Sequence, residues 1–200
     1  MRALYNFIVE PIGGRYNNKK QIGDKELILN TEVFNHQYVN REAKVIAIPK
    51  LLQTDIKVGD TVLVNHNIFR RWHDIRGNEK NSRSYIKSNL YSINEDQIYA
   101  CKRNNKWNAL DGYCFLQPIE SKDKFDTNKE QQNVGIVQYI ESNNIKNVNI
   151  GDLVGFIPGV EYEFIVNNTR LYRILIQHIT IKYEYKGNEK KYNPRWAESS

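Results

Sequence analysis

The sequence predicts an all-β chain built from two similar halves. Short runs rich in Val, Ile and Tyr recur along the 200 residues and are separated by Gly, Asn, Asp and Pro. This pattern is typical of barrels and sandwiches of short strands, and no stretch shows sustained helical periodicity. In addition, three segments of the first half recur in the same order in the second half, which indicates an internal repeat.

The repeat is carried by three pairs of segments. Residues 6–12 match 113–119, residues 56–62 match 148–154, and residues 90–93 match 171–174. The offset falls from 107 (118 − 11) to 92 (151 − 59) to 81 (171 − 90), so the first half has the longer connections. Surface loops tolerate such length changes. Chance resemblance among strand-like segments stays open as the alternative, since such segments recur in any all-β chain.

Each half is expected to form one domain, over residues 1–104 and 111–186. A linker is expected near residues 102–111, and residues 187–200 read as a polar, frayed tail. The expected strands cover residues 4–9, 43–48, 61–65, 85–86, 90–93, 97–101, 112–117, 135–140, 153–157, 163–167, 170–174 and 178–185.

Composition narrows the class of protein. No apolar run approaches the ~20 residues of a membrane span, and the start has no cleavage pattern, so we expect a cytoplasmic protein. The net charge of +6 permits an acidic partner without identifying one. Cys101 and Cys114 form no CxxC pattern, which favours two buried, unpaired thiols over a disulfide or zinc site.

Two segments resemble the GroES-type co-chaperonins (the chaperonin-10 family). Residues 57–65, KVGDTVLVN, are similar to the family segment in which an apolar strand follows Lys-Val-Gly-Asp. Residues 90–100, LYSINEDQIYA, are similar to the closing strand, acidic turn and Ile-x-Ala strand. The likeness covers most of residues 1–101 and extends more weakly over 112–185. It implies two tandem GroES-like β-barrels that cap a GroEL-type chaperonin ring, with no catalysis, cofactor or metal.

The family binds its chaperonin through an apolar tripeptide in a mobile loop after the first strand. The corresponding loop here is 13–40, and it presents Leu27, Ile28 and Leu29 as the partner-binding residues. A few apolar side chains on a mobile tether suffice to anchor in a partner pocket. The alternative is that this triplet is an ordinary strand of the barrel, because apolar triplets beside turn residues are the usual strand signal.

The chain also departs from the family. The segment between residues 48 and 59 is short, the second loop (121–133) has Phe125 as its one large apolar residue, and the second half lacks an insertion at 69–87. A homo-oligomeric ring is expected, although tandem barrels fit a seven-barrel ring poorly. These departures suggest a divergent, phage-encoded relative acting in the host cytoplasm, and they leave a viral structural or adaptor protein as an alternative.

The insertion carries a basic and aromatic cluster, Arg70, Arg71, Trp72 and Arg76. Such residues hold phosphates and stack bases, so a nucleic-acid-binding β-barrel is a further alternative. A solvated hairpin is the favoured interpretation, because charge clusters are usually solvated faces. The four histidines lack metal-site spacing, and no nucleophile elbow or P-loop is present. An enzyme is therefore not expected.

Overall fold

The computed structural model describes residues 2–16, 19–28, 38–110, 112–123, 129–141, 147–184 and 187–198. Strands make up 50% of the chain and helices 7%, which confirms the all-β prediction. The chain divides into two compact units, Met1–Lys106 and Trp107–Ser200. The helix α1 (Arg195–Glu198) is one turn long, and no helix in the described part of the chain is long and apolar enough to cross a membrane.

The first unit is built on one antiparallel sheet with the order β11-β10-β5-β4-β1-β9-β8. Two further hairpins, β2–β3 and β6–β7, form small sheets of their own. The division between the units falls within β11. The strands are β1 (Phe7–Pro11), β2 (Lys19–Ile22), β3 (Lys25–Ile28), β4 (Glu42–Ala47), β5 (Thr61–Val64), β6 (Arg71–His73), β7 (Glu79–Asn81), β8 (Tyr85–Lys87), β9 (Leu90–Ile93), β10 (Ile98–Arg103) and β11 (Lys106–Ala109).

The second unit contains one antiparallel sheet of six strands, in the order β15-β16-β12-β13-β14-β17. Read from its other edge, this order is the same as β10-β5-β4-β1-β9-β8 in the first unit. The sequence repeat therefore corresponds to a repeated strand order. The strands are β12 (Tyr113–Glu120), β13 (Glu130–Ile140), β14 (Leu153–Phe156), β15 (Tyr162–Val166), β16 (Thr169–Leu175) and β17 (Ile179–Lys182).

The Gly-Asp turns before β5 and β14 have the same geometry. The N–H of Gly59 donates to the Val45 carbonyl over 2.8 Å, and Gly151 donates in the same way over 2.8 Å. Both glycines have φ = +93°, a backbone conformation that favours glycine over residues with a Cβ. In each turn the aspartate, Asp60 or Asp152, accepts a backbone N–H three residues earlier. The Gly-Asp dipeptide therefore forms the same turn before two equivalent strands, β5 and β14.

Alternating burial gives each sheet a packed face. In β4, Ala43, Val45 and Ala47 are buried while Lys44 is exposed, as expected for a strand with one solvated face. In the second unit an apolar cluster joins four of the six strands. Its buried members are Cys114, Leu116, Val137, Ile140, Val148, Val154, Phe156, Ile174 and Ile176.

The structure adds detail to two expectations about chain organisation, and the division between the units falls within the expected linker. The predicted linker 102–111 is largely strand, because β10 runs into β11 through Asn104 and Asn105, whose positive φ angles form a tight two-residue turn. The predicted frayed tail is docked on the second unit over its described residues 187–198. Its Tyr192 N–H donates to Pro118, and Ala197 is buried.

The sheets of the described residues are open, and none closes into a barrel. The structure therefore confirms an all-β chain with antiparallel sheets but not the predicted pair of GroES-like barrels. The two main sheets share one order of six strands. Both cysteines are buried and unpaired, as the sequence predicts.

Candidate functional site

The first unit contains two hairpins that have no counterpart among the described residues of the second unit, and the described residues of both predicted binding segments lie on them. The hairpin β2–β3 occupies the connection between β1 and β4. The hairpin β6–β7 lies between β5 and β8. The strands that flank the first connection pair directly in both units, β1 with β4 and β12 with β13. We call the two additions the apolar arm (residues 19–28) and the basic arm (residues 69–84).

The apolar arm is a two-stranded hairpin that reverses at Gly23 and Asp24. Gly23 has φ = +58°, which suits the tight turn between β2 and β3. Leu27 lies opposite Lys20 in the register, and 49% of its surface is exposed. Leu27 therefore belongs to a paired strand, and nearly half of its surface is available for contact with a partner protein.

The structure divides the predicted tripeptide. Leu27 and Ile28 belong to β3, whereas Leu29 lies outside the described residues. Among the described residues, β3 pairs with β2 and with no strand of the seven-stranded sheet, so the alternative of an ordinary strand is met only in part. Leu27 therefore projects from an arm and is not part of the main sheet.

We call the described residues 12–16 and 38–42, which flank the connection that carries the apolar arm, the stem; it is held by one buried side chain, Asn40. Its Nδ2 donates to the carbonyl oxygens of Ile12 and Gly14, over 2.5 and 2.7 Å. Its Oδ1 accepts the N–H of Glu42 over 2.9 Å. The backbone of Asn40 also donates to the Arg15 carbonyl over 3.0 Å. The residues that follow β1 and those that precede β4 are thereby fixed to each other.

The basic arm packs against this stem. The Tyr16 hydroxyl accepts the N–H of Arg71 over 2.8 Å, and the Arg71 guanidinium lies 5.1 Å from the Tyr16 ring centre. Arg15 reaches across to Asn81 over 2.7 Å and to the Phe69 carbonyl over 3.1 Å. The basic arm is therefore in contact with the stem from which the apolar arm extends.

Arg15 also covers a buried tyrosine of the main sheet. Its guanidinium carbon lies 5.7 Å from the ring centre of Tyr91, within the range of a cation–π contact. Burial raises the pKa of Tyr91, so the phenol stays neutral beside the arginine. Arg15 therefore connects the stem and the basic arm to strand β9.

Some of the charged side chains of the basic arm form ion pairs within the arm. Arg71 is paired with Glu79 over 3.0 Å, and Lys80 approaches Asp74 over 3.7 Å. Asp74 also accepts the N–H groups of Arg76 and Asn78 at the tip of the hairpin, over 2.9 Å each. These backbone bonds are the main reason that the pKa of Asp74 is lowered.

The four residues predicted to contact nucleic acid do not form one surface. Trp72 is 46% exposed and lies opposite Lys80 in the register, so these two share a face. Arg71 points to the other face, where it meets Tyr16, and Arg76 lies at the exposed tip. Arg70 is half-buried. One tryptophan and scattered cations give no stacking platform of the kind that single strands use.

The sequence did not reveal the contact between the basic arm and Arg15 and Tyr16 of the stem. Arg15 and Tyr16 lie 54 and 55 residues from the residues they bind, Phe69 and Arg71, and a single sequence carries no signal for such a pairing. Among the described residues, no group of three or more His, Cys, Asp or Glu side chains is placed to hold a metal ion.

Comparison with known proteins adds no identification. No protein-family model matches the chain, and no curated protein matches it.

Proposed function

We propose that this chain is a co-chaperonin-like lid that binds a GroEL-type chaperonin ring through the apolar arm and assists protein folding. The observation that carries the proposal is the exposed Leu27 on a hairpin whose stem is clamped by Asn40. A lid needs an apolar anchor held away from its own core, and this arm provides one. No chemistry is assigned to the chain, and binding alone accounts for its action.

The strand order supports assignment of each unit to a GroES-like domain. In both units the first strand lies between the strand that precedes the Gly-Asp turn and the strand of the Leu-Tyr segment. The segments that resemble the family, 57–65 and 90–100, thus fall on neighbouring elements of one sheet. A shared fold does not establish a function, so the proposed function depends on the apolar arm.

One arm binds weakly. Full burial of a leucine contributes roughly 1.5–3 kcal/mol, and Leu27 has about half of its surface left to bury. Its contribution is then about 1 kcal/mol per arm. Useful affinity requires several arms that engage one partner together. The proposal therefore includes a homo-oligomeric ring in which each chain contributes one apolar arm.

The test compares two exposed leucines of the first unit. Leu27→Asp should abolish nucleotide-dependent co-elution with a GroEL-type chaperonin, because a carboxylate does not enter an apolar groove. The control is Leu51→Asp, at a residue 65% exposed and outside the arm. Both variants should keep the thermal midpoint of the parent protein, since neither buries the new charge.

The outcomes separate the alternatives. Loss of co-elution by Leu27→Asp alone supports the lid. Equal capture of both variants, or no capture of the parent protein, refutes it. The mass of the eluting particle gives a second criterion, because a strictly monomeric protein at micromolar concentration is incompatible with a ring of arms.

A further inference from the structure

The most exposed large apolar side chain among the described residues is Ile75, at the tip of the basic arm. It lies in the five-residue turn (74–78) that joins β6 to β7, and its side chain is fully exposed. Single exposed apolar residues are common on protein surfaces. Ile75 differs from such residues because the turn that carries it is held by several hydrogen bonds.

The turn around Ile75 is organised by Asp74. The Asp74 carboxylate accepts the N–H groups of Arg76 and Asn78, over 2.9 Å each, and the side-chain amide of Asn78 over 3.2 Å. The Asp74 N–H donates to the Asn78 carbonyl over 3.0 Å, and the Gly77 N–H donates to the Asp74 carbonyl over 2.9 Å. Ile75 is therefore presented to solvent from a backbone that is already ordered.

The hairpin below this tip adds little to the core of the first unit. All of β7 is exposed, as are Trp72 and His73 of β6, and a two-stranded hairpin alone is marginally stable at best. Its root is anchored by Phe69, which is buried with its ring centre 4.8 Å from that of Tyr91. In the second unit the five residues 157–161 suffice to join the equivalent strands, β14 and β15. The repeated sheet is therefore complete without this hairpin.

The charge of the basic arm indicates the chemistry of a partner. Residues 69–84 contain five Lys and Arg and two Asp and Glu, a net charge of +3. Both carboxylates are bound within the arm, Glu79 to Arg71 and Asp74 to the amides of its turn. Arg76 is exposed and follows Ile75 directly. An apolar tip with positive charge around it complements an apolar pocket that has an acidic rim.

We propose that Ile75 is a second anchor for the GroEL-type chaperonin ring and enters an apolar pocket rimmed by carboxylates. This inference rests on the proposed function, because the partner is the same. The basic arm packs against the stem of the apolar arm, so both arms extend from one region of the first unit. Full burial of an isoleucine strengthens binding by about tenfold or more, and an ordered turn lowers the entropic cost of binding.

The test is nucleotide-dependent co-elution of the whole protein with a GroEL-type chaperonin. Ile75→Asp should weaken capture at least about tenfold, with an unchanged thermal midpoint because the side chain is fully exposed. The matched control is Val58→Asp, which places the same charge at an exposed β-branched residue on another turn of the first unit. Its capture should stay within about twofold of the parent protein, since a single exposed charge contributes little.

Two further variants test how the anchor is presented and what surrounds its pocket. Asp74→Ala keeps Ile75 but removes the three side-chain bonds that order its turn, so capture should weaken roughly threefold to tenfold. Arg76→Glu should weaken capture at low salt more than at high salt, as expected beside an acidic rim. Capture of Arg76→Glu equal to that of the parent protein at low salt overturns the acidic rim.

The outcomes separate this inference from the proposed function. Capture of the parent protein that Ile75→Asp leaves unchanged overturns the second anchor and leaves the lid intact. No capture of the parent protein refutes both. Sedimentation with vesicles of phosphatidylserine and phosphatidylcholine tests a membrane partner, and binding of the parent protein that Ile75→Asp abolishes overturns the proposal in favour of an anionic lipid surface.

Discussion

Asn40 is the residue on which the presentation of the apolar arm depends. Replacement by alanine removes three hydrogen bonds, those to Ile12, Gly14 and Glu42, at a site where Asn40 is 2% exposed. Each such bond contributes about 0.5–1.5 kcal/mol net. Water can reach part of this stem, so we expect a total loss of about 2–3 kcal/mol.

The measurement is scanning calorimetry of the first unit's transition. For a domain of about 100 residues, this loss lowers the midpoint by about 10 °C or more. Gln132→Ala is the matched control, because Gln132 stands at the equivalent position of the repeat and is exposed. A midpoint for Asn40→Ala within about 2 °C of the control would refute the view that this side chain clamps the stem.

Two other predictions concern the repeat and the thiols. Gly59→Ala and Gly151→Ala should each cost roughly 1–2 kcal/mol, and equally, because both have φ = +93° and open space around the new Cβ. Urea titration checks this, and a clearly unequal pair contradicts it. Burial raises the pKa of Cys101 and Cys114 to about 12, whereas unfolded thiols titrate near 8.5. The folded thiols should therefore resist a thiol reagent at pH 8, and the free energy of unfolding should fall as pH rises from about 8.5 towards 12. Rapid labelling of the native protein would contradict this.

The sheet strands could be predicted because their side chains alternate or are continuously apolar. Strands β1, β5 and β12 read as short buried runs, and the order of the matched segments anticipated a shared strand order. The Gly-Asp turns were also predictable, because glycine followed by aspartate supplies both the positive φ and the carboxylate that caps the turn.

The arms and the docked tail could not be predicted from the sequence. β7 is Glu79-Lys80-Asn81 and is exposed throughout, so no hydrophobic period marks it as a strand. It is stabilised by its turn at Asp74 and by the contact of Asn81 with Arg15. The C-terminal segment is polar, and the bond between Asn193 and the Arg170 N–H that helps to hold it is a long-range contact. Pattern alone does not encode such contacts.

The shared strand order also offers a wrong strand pairing during folding, because β13 is the counterpart of β4, the strand with which β5 pairs. The side chains at the common row resolve it. In the first unit the row reads Glu10, Lys44, Thr61 and Lys102, and in the second it reads Gln117, Ile136 and Leu153, with Tyr183 last.

An exchanged pairing would set Thr61 against Ile136 and carry Lys102 towards an apolar cluster, where its charge has no partner. Divergence between the two copies thus has a consequence for folding. The different side chains favour pairing of strands within each half of the chain. They disfavour the exchange of strands between halves to which tandem repeats are prone.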